Sequence, residues 1–301
     1  MNIKLFAYLD IRNPMVAWEV AIGRVRSVSD VTREEFGVSI WTYSLLREYA
    51  AKGSDKKFLN ELLLERVRLS AHVSQCSRLS DLYFFESEYA AHAALERWNI
   101  RGCRDFISQV NFSANRLTKV DSEWITSYLL SDERGWMNRY WSGETLGVKP
   151  LTEVLASGIG FVKNEDLRRR AYQSIIDRWP TATPLLSMAC CAFADQRLED
   201  VAIVRPAIFE EDGKVQGSYF LDIRDLDINQ DKVLAALSAC NMRNEFPPTI
   251  VADDNVTFFT LPDMSEMSFV LTDSVIAAEL GQVHSAAVNL TTSEATRKVD
   301  W

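Results

Sequence analysis

The chain has 301 residues, a formal net charge of −9 and 47% hydrophobic residues. That is enough apolar material for two cored domains, and no run of about 18 uncharged apolar residues is present to cross a membrane. The acid excess opposes long-range steering to nucleic acid, and composition offers no basic groove.

In chain order, residues 3–9 alternate loosely and predict a buried first strand, broken by Asn13-Pro14. The apolar stretch is short and lacks a small-residue cleavage site, so it is not expected to be a signal peptide. A polar region over 24–35 predicts an irregular surface segment. Residues 57–73 predict a helix: Phe58, Leu62, Leu69 and Val73 share apolar spacing, with Glu61, Glu65, Arg66 and Arg68 between them. Glu65 and Arg68 stand three apart and are expected to pair on its surface. A short polar link leads to Asp81-Leu82-Tyr83-Phe84-Phe85, whose aromatic run predicts a buried strand. Ser87 caps the next predicted helix, 88–98, with Tyr89, Ala93, Ala94 and Trp98 toward its buried face.

Residues 106–112 predict a strand, 124–129 a helix capped by Asp121 or Ser122, and 134–140 a helix ending at Trp141-Ser142-Gly143. Residues 151–156 lead into a strand over 158–162. Asn164 opens a charged helix that extends to Trp179, its basic residues expected on a solvated face. Pro180 and Pro184 mark the expected domain boundary, dividing 1–180 from 181–301. Beyond it, 185–194 predict a buried helix with Cys190 and Cys191 in the core. Residues 201–209 and 215–221 flank Glu211-Asp212-Gly213-Lys214 and predict a hairpin. Residues 231–240 predict a short helix, and 256–261 and 268–271 two more strands.

The chemistry-bearing residues are few. Cys76, Cys103, Cys190, Cys191 and Cys240 are odd in number and lack zinc or redox spacing, as expected of reduced thiols in a cytoplasmic protein. His72, His92 and His284 share no metal-ligand spacing. There is no phosphate-binding Walker loop and no G-x-G-x-x-G after a strand. A hydrolase built on Cys76 or Cys103 with a distant histidine stays open, because such residues meet only in the fold.

Two stretches carry more. Ser77-Arg78-Leu79-Ser80 forms a Ser/Arg-rich turn ahead of the aromatic strand, with a helix after it. Tyr140-Trp141-Ser142-Gly143 is followed by Leu151-Thr152-Glu153-Val154-Leu155 and Gly158-Ile159-Gly160-Phe161-Val162. Together with Glu65-x-x-Arg68, this order over about residues 1–163 resembles the ADP-ribosyltransferase superfamily. It is most similar to a bacterial and phage family whose better-understood relatives are mRNA-modifying toxins of toxin–antitoxin phage-defence systems.

The resemblance implies an α+β chain: an ADP-ribosyltransferase-like first domain, with a split mixed sheet and helices, and a smaller α+β partner-binding domain. It implies NAD as cofactor and Glu153 as the catalytic carboxylate. A carboxylate suits this reaction, since breaking the nicotinamide–ribose bond creates an oxocarbenium-like centre. Arg78 is expected on the pyrophosphate, whose geometry a guanidinium matches. Ser80 is expected on the ribose or nicotinamide, and Tyr83 stacked on nicotinamide. Many members carry His or Arg on the first strand against the NAD ribose. The strand over 3–9 has neither, which leaves Tyr8, Arg12 or Arg78 for that contact. The expected acceptor is a macromolecule, RNA ahead of protein or DNA, and the expected partner is an antitoxin protein that occludes the cleft.

On the residues alone, bland readings stand beside these. Glu153 reads as an exposed helix residue, Arg78 as half of a structural ion pair, and Tyr83, Trp98 and Trp141 as core aromatics. The missing first-strand residue also fits a non-catalytic interaction protein on a degenerate transferase fold.

Overall fold

The structure is a computed structural model, and it describes residues 1–28, 36–211, 214–243 and 259–283. The N-terminal part runs β1 (Asn2–Tyr8), α1 (Pro14–Ile22), β2 (Arg24–Arg26), β3 (Phe36–Gly37), α2 (Ile40–Lys52), α3 (Lys56–Ala71), β4 (Leu82–Phe84) and α4 (Glu88–Arg97). It continues with β5 (Ile107–Asp121), α5 (Glu123–Tyr128), α6 (Trp136–Trp141), β6 (Thr152–Val162) and α7 (Glu165–Arg178). Then come α8 (Thr183–Gln196), β7 (Ile203–Glu211), β8 (Lys214–Asp222), α9 (Arg224–Ile228), α10 (Gln230–Arg243) and β9 (Phe269–Leu271). The chain is α+β, and no described helix is long and apolar enough to cross a membrane.

Asn13-Pro14 does more than end the first strand. The Asn13 side chain accepts from the Met15 and Val16 N–H groups at 3.0 and 3.3 Å, capping α1. Pro14 opens the helix, where an absent N–H leaves no bond unmade. Ala17, Trp18, Val20, Ala21 and Ile22 are all buried, so α1 is enclosed on every side.

The first sheet has the order β1-β5-β6-β2, with β4 also on β6. Every described pairing is antiparallel, which corrects the expected mixed sheet. The physical reason is connectivity: β5 returns as β6 through two short helices, with no crossover to a parallel neighbour. Phe85, just past β4, exchanges two backbone hydrogen bonds of 2.8 Å with Phe6. The path β1–β5–β6–β4 therefore closes into a ring. Closure needs a sharp bend, and the register slips between Ala114 and Arg116, opposite Gly158. Gly158 has φ +136, and a Cβ there would stand 2.1 Å from the Ser113 carbonyl oxygen. Only glycine fits.

The second sheet has the order β3-β7-β8-β9. The β7–β8 hairpin matches the expected one, while its tip, Asp212-Gly213, lies outside the described residues. One apolar core runs from Leu5, Trp18 and Val110 to Leu185, Val204 and Phe269, and so is continuous across residue 180. β3, from the N-terminal half, pairs with β7. Trp18 Nε1 donates to the Ala202 carbonyl at 2.8 Å.

Several surfaces differ from the sequence expectation. Residues 24–26 are a strand, and Arg24 is wholly buried. Its guanidinium meets Glu19 at 2.5 and 2.9 Å and donates to the Glu199 and Val201 carbonyls at 2.7 and 3.1 Å. A charged residue can sit there because a carboxylate and two carbonyls replace water. Residues 29–35 lie outside the described residues. On α4 the buried face is Ala91, Ala94 and Leu95, and Tyr89 is 84% exposed. The spacing three and one places those small residues on one stripe. On α7, Arg169 and Arg170 are solvated as expected, but Arg168 is buried and donates to the Ile22 carbonyl at 3.3 Å. Residues 256–258 lie outside the described residues, and 259–261 form no strand.

Candidate functional site

Helical spacing turns Glu61, Glu65 and Arg68 of α3 to one side, at intervals of four and three. Strand alternation does the same for β6: Tyr83 pairs with Leu155, and Glu153 stands two residues earlier on the same face. α6 contributes Tyr140 and Trp141, both buried. These elements meet over an apolar cluster that includes Leu64, Val120, Trp124, Trp136 and Leu155.

Arg78 sits at the centre, 4% exposed. Its Nε and Nη2 donate to the Glu61 carboxylate at 3.0 and 2.9 Å. Its Nη1 donates to the Tyr140 hydroxyl at 2.9 Å and to Glu153 Oε2 at 3.3 Å. The guanidinium carbon lies 5.1 Å from the Tyr83 ring centre and 5.7 Å from that of Tyr140. The Tyr83 hydroxyl donates to Arg78's own carbonyl, which also accepts from Ser39 Oγ at 3.0 Å. Trp41 Nε1 donates to Glu61 at 2.9 Å. One turn along α3, Arg68 pairs with Glu65 at 2.7 Å, and Ser77 Oγ donates to Glu65 at 2.9 Å. The expected Glu65–Arg68 pair thus exists, but both residues are buried rather than on the surface. Arg68 is drawn inward because it also satisfies the Gln75 carbonyl at 3.0 Å.

In this cluster three glutamates share two guanidinium groups. Burial pushes the Glu153 carboxyl above the ordinary glutamate range, and Arg78 offsets this only in part. Arg78 gives Glu61 the bidentate contact and Glu153 a single longer one. Burial itself works against the Arg78 charge, but Glu61, Tyr140 and Tyr83 carry the group well above its usual value. Burial raises both phenols. The net effect is an arginine held charged beside a glutamate that keeps its proton more tightly than it would in water.

The structure brings Arg78, Tyr83 and Glu153 together. Glu153 is 5% exposed and lies on a strand, so it is not an exposed helix residue. Ser80 is half-buried beside the cluster, and its carbonyl accepts from the Val28 N–H at 3.2 Å. Tyr8 and Arg12 form a separate group on another apolar cluster. There the Tyr8 hydroxyl donates to Asp10 at 3.0 Å. Arg12 Nε donates to Asp10 at 2.7 Å, and Nη2 reaches Cys103 Sγ at 3.3 Å.

The set expected for NAD does not fit as arranged. Nε, Nη1 and Nη2 of Arg78 all donate within the cluster, so a pyrophosphate would have to displace Glu61 or Tyr140. The Tyr83 ring already carries the Arg78 guanidinium on its π-system. Two members of the site were not expected. Tyr140 stood in the quoted Tyr-Trp-x-Gly motif without a role. Glu61 shares its helix face with Glu65 and Arg68, a spacing signal that could have found it.

The thiol reading loses its first candidate. Cys76 is fully buried, and burial pushes its thiol up to about 12, the opposite of what a nucleophilic cysteine needs. All five cysteines are buried and free. His72 meets Asn138 at 3.3 Å, His92 stands 3.7 Å from Glu88, and His284 lies outside the described residues.

Comparison of the chain with protein-family models and with curated proteins returned no match in either case.

Proposed function

We propose that the chain is a NAD-dependent ADP-ribosyltransferase that modifies a macromolecule, RNA ahead of protein or DNA, with Glu153 as its catalytic carboxylate. On this reading it is the toxin of a toxin–antitoxin phage-defence system, with an antitoxin protein as partner. The observation that supports it is convergence. Arg78 and Glu153, 75 positions apart in two different motifs, share a hydrogen bond, with Tyr83 and Tyr140 around them. NAD would supply the ADP-ribosyl group, and its binding requires Arg78 to release Glu61 or Tyr140. The residues of the chain supply a carboxylate in a low-dielectric surround, where charge acts more strongly than in water.

The test is transfer of labelled ADP-ribose from NAD to separated RNA, DNA and protein fractions, by wild type and Glu153→Gln, with NAD binding followed by calorimetry. Label that enters one fraction with wild type alone supports the reading and names the acceptor class. No label in any fraction, with no heat of NAD binding, overturns it.

A second reading has an observation of its own. The Arg78 nitrogens are satisfied internally and Glu153 is 5% exposed, as in a purely structural ion-pair network. The chain is then a non-catalytic interaction protein on a degenerate transferase fold, and Glu153→Gln changes stability with no activity to lose.

A further inference from the structure

A second region of the same sheet has the opposite character. A groove of about 690 Å³, open to solvent, crosses the start of β1, the first half of β5 and the end of β6 and reaches the C-terminus of α8. Lys4, Asn111, Ser113, Phe161, Lys163 and Arg197 line it. Lys4 and Phe161 flank Asn111 in register, so a cation, an amide and an aromatic ring form one row across three strands. Lys4, Asn111, Ser113, Lys163 and Arg197 are exposed. Among the described residues, no carboxylate stands within ion-pair distance of Lys4, Lys163 or Arg197. One acidic residue, Glu199, lies at the rim. In a chain with net charge −9, this is a local reversal of sign.

The Phe161 ring is the focus of that charge. Arg168, Lys163 and Arg197 stand 5.0, 5.6 and 5.6 Å from its centre, and Phe193 stacks on it at 6.2 Å. Arg197 has a further peculiarity. It ends α8 with φ +54, the left-handed conformation usually given to glycine at that place. That conformation is uncommon for a residue with a side chain, and Asn99 and Ala202 share it. The Arg197 guanidinium lies 5.6 and 6.0 Å from the Phe161 and Phe193 ring centres, at the wall of the groove.

We propose that this groove binds single-stranded nucleic acid. Exposed cations with no described carboxylate in ion-pair contact match phosphates, and the half-buried Phe161 ring, which lines the groove, offers a base an apolar contact. The Asn111 oxygen already accepts from Gln109 Nε2 at 3.2 Å, while its amide N–H groups and the Ser113 hydroxyl face the groove as partners for base edges. The inference stands apart from the transferase reading, because binding needs no NAD. The groove is also some distance from the buried cluster: Phe161 lies eight residues beyond Glu153, about 26 Å along an extended strand.

The experiment is fluorescence anisotropy of the full chain with a labelled 12-nucleotide RNA, and with DNA of the same sequence, at several salt concentrations and without NAD. A labelled oligoglutamate peptide is the third probe. The variants are Arg197→Gly, which removes the cation and suits the left-handed backbone, and Lys4→Gln with Lys163→Gln. The expected result is binding whose logarithm falls with log salt by about 0.7 per phosphate contact, hence a slope near −2 for three cations. Each variant should weaken it at least about tenfold while thermal unfolding holds for the lysine variant and holds or rises for Arg197→Gly. Glu153→Gln should bind as wild type does, so loss of transfer and loss of the groove remain separable. Tighter binding of RNA than DNA assigns a role to the 2′-hydroxyl within the same proposal. No binding of either strand at low salt, unchanged affinity in the variants, or oligoglutamate binding as tightly as RNA would overturn it.

Discussion

The Glu153 cluster and the Phe161 groove both draw on β6, and both set cations against aromatic rings, yet their charges are spent differently. In the cluster, Arg78 is buried and bonded to Glu61, Tyr140 and Glu153. In the groove, Lys4, Lys163 and Arg197 are exposed, with no described carboxylate in ion-pair contact and Glu199 alone at the rim. The first arrangement holds the fold together, because a buried charge must be answered by protein groups. The second is kept charged by water and costs the fold little, so its cations are available to a ligand. Density of charge therefore does not identify a binding surface; the lack of internal partners does.

The sharpest way to break this contrast is Arg78→Ala. It leaves Glu61 and Glu153 buried without their shared cation. Removing one partner of a buried pair costs about 3–5 kcal/mol, read as a fall in unfolding free energy in urea. A fall below about 1 kcal/mol would mean that the cluster is hydrated and the contrast is false. Glu153→Gln probes the same burial more gently. A carboxyl raised in the folded state binds its proton more tightly there than in the unfolded chain. Its contribution to stability is therefore whole in acid and is lost as pH rises through the raised value. The glutamine variant has no such proton. Its unfolding free energy should decline less than that of wild type as pH rises above the ordinary glutamate range. Superimposable pH profiles would show that Glu153 is solvated.

The smallest effect belongs to the groove. Lys163→Gln should change unfolding free energy by less than about 0.5 kcal/mol, as surface substitutions do, while nucleic-acid affinity falls. A large loss of stability there would make Lys163 a structural partner of Phe161, not a rim cation.

Legibility followed the range of the interactions. The β7–β8 hairpin, the body of α3 and the Ser87 cap, whose hydroxyl accepts from the Ala90 N–H at 3.1 Å, depend on neighbours in sequence and were readable there. Asn13-Pro14 both ends β1 and starts α1, because a proline that breaks a strand also fits the first turn of a helix. Glu61 and Arg24 were not legible in the same way. Each is a charged residue whose burial depends on partners 17 and 175–177 positions away.

The sequence by itself determined the α+β character, the local elements and the motifs that hold Arg78, Tyr83 and Glu153. Spacing and capping act within a few residues, so they are written along the chain. Tertiary structure alone decided that the β1–β5–β6–β4 ring closes, that Arg78 is consumed by Glu61, and that Tyr8 and Arg12 stand apart from Glu153. It alone gathered Lys4, Lys163 and Arg197 from three separate elements into one groove. Burial and charge pairing are properties of surroundings, and distant segments supply those surroundings only when the chain folds.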